Sequence, residues 1–313
     1  MINLRYHIVS LVAVFLALGL GIVMGSTVID RVTVDALNNR LDDVQRSVSA
    51  IRDENGRLKG QVDQGLDFAE TTRDQLLRGH LRNIPVMVVA VAGIDRRPLD
   101  DVRAALVGAQ ATLQGTIWFT PKMRLSNEGD VRALAAALEL GAVDRPEVVR
   151  RQALAKVAAA RETAPADASP LAALQSAGFL TYEAPPTATS TSASLPLTLA
   201  SLPLANTRYL FVSGAGAEVG DDVLAVPLVQ AYASISARVV AAESGEDTQG
   251  GRAVFVGLLR GDVVSARLST VDNLESPMGQ TAAVLALEDL GVPRFGHYGV
   301  GPGAQSILPV PAA

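Results

Sequence analysis

Hydrophobic residues follow three different patterns along this chain, and each predicts a different kind of element. From Ile8 to Ile29 the run IVSLVAVFLALGLGIVMGSTVI contains no charge and no proline. A helix of that length rises about 33 Å, enough to cross a hydrocarbon core of about 30 Å, and it satisfies its own backbone groups while doing so. A signal peptide has an apolar region of about 7–15 residues closed by a small-residue cleavage site. Here the run is longer, and Ala17, Gly19, Gly21 and Gly25 lie inside it, so residues 8–29 read as an uncleaved transmembrane anchor. Arg5 precedes the run, while Asp30 and Arg31 after it nearly cancel. Positive-inside bias then places residues 1–7 in the cytoplasm and the rest of the chain outside. Ala17, Gly21 and Gly25 recur every fourth residue, a spacing that lets membrane helices pack closely, although glycine is frequent in such helices in any case.

The second pattern has a period of 3.5. Val34, Leu37, Leu41, Val44, Val48, Ile51, Asn55, Leu58 and Val62 alternate three and four residues apart, the repeat that keeps one seam turned toward a partner helix. Mixed charges such as Arg40, Asp43, Arg52, Glu54 and Lys59 fill the other positions, as a solvated face requires. This predicts an α-helical coiled-coil stalk over residues 30–80, about 70 Å long, pairing two chains as a parallel homodimer. Asn55, at an a position, would fix register at some cost in stability. Gly56 and Gly60 weaken the helix by up to about 1 kcal/mol each, and the seam fades where Gly65 falls on a d position. The rival arrangement is one amphipathic helix laid against the chain's own domain.

Beyond residue 83 short apolar runs alternate with helical periods. Ile84-Pro-Val-Met-Val-Val-Ala-Val-Ala-Gly93 lacks alternation, as in a strand buried on both faces. A helix over Pro98–Leu113 and a strand over Gly115–Thr120 complete a βαβ unit, which implies a parallel sheet. Helices are predicted from Asn127 to Leu140, from Pro146 to Ala160, and from Ser169 to Gly178, followed by a strand Phe179–Tyr182. Residues 183–206 form a linker or low-complexity loop, with APPTATSTSAS at its centre. The second half predicts a strand Arg208–Ser213, a helix from about Asp221 to Ala242, strands Arg252–Gly257 and Arg267–Val271, and a helix started by Ser276-Pro277. Residues 84–182 and 207–313 thus read as two halves of an α/β domain with a mostly parallel, Rossmann- or flavodoxin-like sheet.

Composition narrows the chemistry. The 313 residues carry a net charge of −5 and no cysteine. The acidity and the lack of a basic stripe argue against nucleic acid as a partner, and a chain without cysteine has no disulfide, zinc–thiolate site or thiol nucleophile. The three histidines, His7, His80 and His297, stand far apart, and no nucleophile–base–orienter set can be assembled. The expectation is therefore a protein that is not an enzyme, with no catalytic residue, no metal ligand and no cofactor. Gly214-Ala-Gly216 matches only the opening of a dinucleotide fingerprint and reads as a turn. Gly299-Val-Gly301-Pro-Gly303 reads as a terminal turn, with an anion cradle of backbone amides as the alternative. His297-Tyr298 reads as a structural pair. Asp100-Asp101 and Asp221-Asp222 suit helix starts. Ser269, Thr270 and Asp272 cluster at a strand end, where open α/β sheets bind ligands, and form the leading candidate for a small-molecule site.

Both ends of the chain resemble one family. The opening MINLRYHIVSLVAVFLALGLG, Ser269-Thr-Val-Asp-Asn273 with Ala286-Leu-Glu-Asp-Leu290, and Gly296-His-Tyr-Gly-Val-Gly-Pro-Gly-Ala304 are similar to the actinobacterial MctB family, which carries the name copper transporter. The resemblance implies an envelope protein assigned to copper transport or copper homeostasis. It also implies, through SteB-like members, a role in cell separation with a SteA-type partner and control of a peptidoglycan hydrolase through the coiled coil. Copper(I) prefers thiolate and thioether ligands, and five dispersed methionines without cysteine suit a protein-interaction scaffold or regulator better.

Overall fold

The computed structural model describes residues 4–141, 145–162, 169–185, 198–199, 206–236, 238–245, 254–292 and 294–310. Two compact units divide the chain, Met1–Gly65 and Leu66–Ala313.

In the first unit a single helix, α1 (Leu4–Leu77), runs without a break through the apolar run and the heptad region and ends inside the second unit. No proline interrupts it, and the exposed pairs Asp43–Arg46 at 2.7 Å and Glu54–Arg57 at 2.6 Å lie three residues apart on its surface. Its segment Leu4–Gly25 is long and apolar enough to cross a membrane and is the only such helix among the described residues.

In the second unit β1 (Pro85–Val91) and β2 (Thr112–Phe119) flank α2 (Arg96–Gly108), whose start is capped by the Asp95 side chain. Helices α3 (Glu128–Ala137), α4 (Pro146–Glu162) and α5 (Ser169–Ser176) lead to β3 (Leu180–Glu183). Then come β4 (Arg208–Gly214), α6 (Ala225–Ile235), β5 (Val239–Ser244), α7 (Val254–Arg260), β6 (Ser269–Val271), α8 (Pro277–Asp289) and β7 (His297–Tyr298). All seven strands form one sheet in the order β3-β2-β1-β4-β5-β6-β7. Only β3 is antiparallel, against β2. The two predicted halves therefore meet in a shared sheet, through the parallel pairing of β1 with β4.

Alternate residues of β1 explain why that strand has no polar face. Met87, Val89 and Val91 enter the core beneath α3 to α7, and Val86, Val88 and Ala90 enter the core beneath α2 and α8. Leu77 and Leu81, at and just beyond the end of α1, are also in the second core. Arg73 Nη1 donates to Gln280 Oε1 at 2.5 Å, and His80 Nδ1 lies 2.7 Å from Glu288 Oε2, so the end of α1 and the residues just after it are tied to α8.

Three expected elements change. The helix predicted over Pro98–Leu113 ends at Gly108, and Leu113 already belongs to β2. The helix predicted to reach Ala242 stops at Ile235, and Val239–Ser244 is a strand with every residue buried. Its alanines resemble helix formers locally, but its place between β4 and β6 decides the outcome. The strand predicted from Arg252 is instead α7, which buries Phe255, Val256 and Leu259 on one face. Packing of that face overrides the β preference of its valines. The low-complexity stretch 186–197 lies outside the described residues, as does the side chain of Val34. Glu183, counted in the linker, is the last residue of β3.

The start of α8 is the tightest junction. Ser276 caps it, accepting from the Gly279 amide at 3.0 Å, with Pro277 in the first turn. A Cβ on Gly279 would run into the Asn273 carbonyl. Gly279→Ala is expected to destabilise the second unit by about 1–3 kcal/mol through overpacking, measured as a lowered denaturant midpoint with an unchanged slope.

Candidate functional site

The carboxyl edge of the sheet holds the strand-end cluster singled out in the sequence, and two of its members, Thr270 and Asp272, meet on one arginine. Ser269 is buried, and its Oγ accepts from the Gly296 amide at 3.2 Å. Thr270 Oγ1 accepts from Arg260 Nε at 2.9 Å and lies 3.0 Å from His297 Nδ1. Asp272 Oδ2 accepts from Arg260 Nη1 at 2.7 Å and from the Gly301 amide at 2.9 Å, and its Oδ1 accepts from the Val300 amide at 2.8 Å. Arg260 also donates to the carbonyls of Tyr298 at 2.8 Å and Pro302 at 2.9 Å. The side chains of Arg260 and Asp272 are only 6% and 1% exposed, so both charges rely on each other and on these dipoles rather than on water.

The glycine-rich tail accordingly does form a cradle of amides, but the anion in it is the protein's own Asp272. Gly299 has φ +127, and a side chain on it or on Gly301 would collide with the Asp272 carboxylate. His297 belongs to the same network. Burial, and then the charge of Arg260, push its pKa below the ordinary value, which favours a neutral ring beside Thr270.

The crevice between β1 and β4, the topological switch point of this strand order, is filled by the chain. Gly214-Ala-Gly216 turns back over it, so that the Glu218 amide donates to the Ala92 carbonyl at 2.7 Å and the Arg124 guanidinium binds the Glu218 carbonyl. Gly93 has φ +98, and a side chain there would strike Gly216 and Glu218. The fingerprint-like glycines thus make a turn packed on β1. Asp221 lies just beyond, accepting from Ser213 Oγ at 2.5 Å. Burial raises its pKa and the charge of Asp222 adds to this, against the Ser213 hydrogen bond.

On α1 the heptad residues Leu37, Leu41, Val44, Val48, Ile51, Leu58 and Val62 are 39–61% exposed, forming an apolar seam turned to solvent. Nothing lies within 4 Å of a Cβ placed on Gly21 or Gly25, so that small-residue face is likewise open. Among the described residues no three His, Asp or Glu side chains come together as a metal site.

A family model described as "Copper transport outer membrane protein, MctB" matches residues 1–309. The chain belongs to the MctB family. It is 24% identical over 325 residues to proteins named Copper transporter MctB from Mycobacterium tuberculosis (strain H37Rv) and Mycobacterium bovis, covering 98% of this chain and 99% of each relative. A Mycobacterium leprae protein of the same name is 27% identical over 329 residues, with the same coverage.

In this MctB family member the residues that sequence reasoning missed are the organisers. Arg260 stood between two expected strands and carried no motif. Glu183 holds a second cluster. Its Oε1 accepts from Arg103 Nη1 at 2.6 Å, its Oε2 accepts from Trp118 Nε1 at 3.0 Å, and Arg96 stacks over the Trp118 ring at 4.7 Å. Burial raises the pKa of Glu183, but the hydrogen bonds from Arg103 and Trp118 and the charges of Arg103 and Arg96 outweigh it, leaving the carboxyl below its ordinary range. No local pattern marks such long-range partners.

Asp272→Asn is expected to cost about 3–5 kcal/mol, because it strands the buried Arg260 charge. Adding Arg260→Met should restore part of that loss, as read from chemical denaturation of the two single variants and the double variant.

Proposed function

We propose that this chain is a single-pass envelope protein that works by engaging other proteins and not by catalysis. The observation that carries this is the apolar seam from Leu37 to Val62, exposed along a helix continuous with the apolar segment Leu4–Gly25. A row of aliphatic side chains at heptad spacing is stabilised by removal from water. In this reading Val34, Leu37, Leu41, Val44, Val48, Ile51, Asn55, Leu58 and Val62 pair two copies in parallel as a coiled-coil stalk. The charges at the seam's edge favour that direction. In a parallel pair Glu54 at g faces Lys59 at e of the other copy, and the other g–e pairs lying within Leu37–Val62, Arg40 with Gln45 and Ser47 with Arg52, contain no like charges. Ala17, Gly21 and Gly25 pack the two membrane helices. The N-terminus is cytoplasmic and the α/β unit extracytoplasmic. The stalk and the α/β unit bind envelope partners in cell separation, a SteA-type protein and a peptidoglycan hydrolase that they control.

The second reading is copper transport or copper homeostasis, and the name of the mycobacterial relatives favours it. Of the methionines that could serve copper(I), Met87 and Met123 are fully buried in the core and Met24 is exposed on α1.

The chain has no cysteine of its own, so single cysteines report pairing directly. Leu41→Cys, on the seam, should give a disulfide-linked dimer of the full-length protein in oxidised cells, whereas Arg46→Cys, on the outer face of α1, should not. Equal crosslinking at both positions, or none at Leu41→Cys, would overturn the pairing. Deleting residues 34–62 should abolish co-purification of envelope partners, and unchanged recovery would count against the scaffold reading. Calorimetric titration of the detergent-solubilised full chain with copper(I) separates the two readings, since tight stoichiometric binding would favour copper.

A further inference from the structure

Two cations and two anions line one hollow of the second unit without touching each other. Beyond β4, the start of α4 and the turn leading into α6 line a cavity of about 250 Å³, formed by Glu147, Arg150, Arg151, Asp222, Val223 and Pro227. Arg150 is fixed in place. It is 9% exposed, its Nε donates to the Met123 carbonyl at 3.1 Å, and its Nη2 donates to the Arg124 carbonyl at 3.4 Å. Among the described residues its Nη1 makes no hydrogen bond. Burial pushes its pKa down while the charges of Glu147 and Asp222 push it back up. Those carboxylates act on it through space, because none of the four charged groups forms an ion pair with another.

The four charges sum to zero. A lone anion would gain from the arginines about what it loses to the acids, and a lone cation the reverse. A small molecule carrying both signs gains from both sets. The volume lies below the range of about 300–1,000 Å³ usual for larger ligands, and Val223 with Pro227 offers an apolar wall to a short side chain. We propose that this hollow binds a free α-amino acid with a small aliphatic side chain, its carboxylate on Arg150 and Arg151 and its ammonium on Glu147 and Asp222. The site is independent of the α1 seam, so its failure would leave the scaffold reading untouched.

The test is calorimetric titration of the full-length protein in detergent with alanine. The analogues are N-acetylalanine, which lacks the ammonium, alaninamide, which lacks the carboxylate, and inorganic phosphate. Alanine should bind, and each analogue should bind about tenfold more weakly or worse, since a hydrogen bond to a charged group contributes about 1.5–3 kcal/mol. The exposed substitutions Arg151→Gln and Asp222→Asn should each weaken alanine about tenfold as well, and Asp101→Asn on α2 should leave it unchanged. No heat with alanine would overturn the proposal. So would N-acetylalanine or phosphate binding as tightly as alanine, or an equal loss in Asp101→Asn.

Discussion

The buried pairing of Arg260 with Asp272 decides how the second half of the sheet closes. Two strands of that half are short, β7 having two residues and β6 three, and strands so short contribute few ladder hydrogen bonds. What holds them is an arginine at the end of α7 that reaches β6 through Thr270, β7 through the Tyr298 carbonyl and the tail through the Pro302 carbonyl. Asp272 completes the knot by taking two amides of the glycine-rich tail. A charge so far from water needs every one of its hydrogen bonds, which explains why the tail is rich in glycine. A Cβ on Gly299 or Gly301 would collide with the carboxylate, so glycine at those two positions lets the Val300 and Gly301 amides reach both oxygens.

That arrangement also changes the meaning of the sheet's carboxyl edge. In many α/β proteins the loops there stay apart and leave a crevice for a ligand. Here Asp272 fills the amide cradle, the turn at Gly214–Gly216 is packed on Gly93, and the Arg124 guanidinium fastens that turn through the Glu218 carbonyl. The open concavity lies to one side, between α4 and α6, where Arg150 is held by the Met123 and Arg124 carbonyls and, among the described residues, no ion pair joins the charged groups to one another. The centre of the edge is structural, and the binding chemistry moves to its flank.

The first unit presents the opposite situation. Its helix satisfies its own backbone but not its side chains, since the aliphatic seam of α1 remains in water. A single amphipathic helix gains little from such a stripe until another surface covers it. The second unit buries its apolar residues within itself, in two cores on either side of one sheet.

How much was legible in the sequence follows from the range of each interaction. The apolar run, the heptads, the buried strand at Pro85–Val91 and the Ser276-Pro277 helix start are local patterns, and periodicity or capping chemistry alone determined them. The exchange of helix and strand between Val239 and Leu259 was not legible, because VVAAES and VFVGLLR have local preferences at odds with the places the sheet assigns them. Ser269, Thr270 and Asp272 could be recognised as a strand-end cluster, but only the fold revealed that their partners are Arg260 and the tail amides, which no spacing in the sequence links to them. Sequence determined which segments are apolar and with what period, since those are properties of neighbours along the chain. Tertiary structure alone decided which polar groups are already satisfied, because burial and hydrogen bonding depend on residues brought together from distant positions.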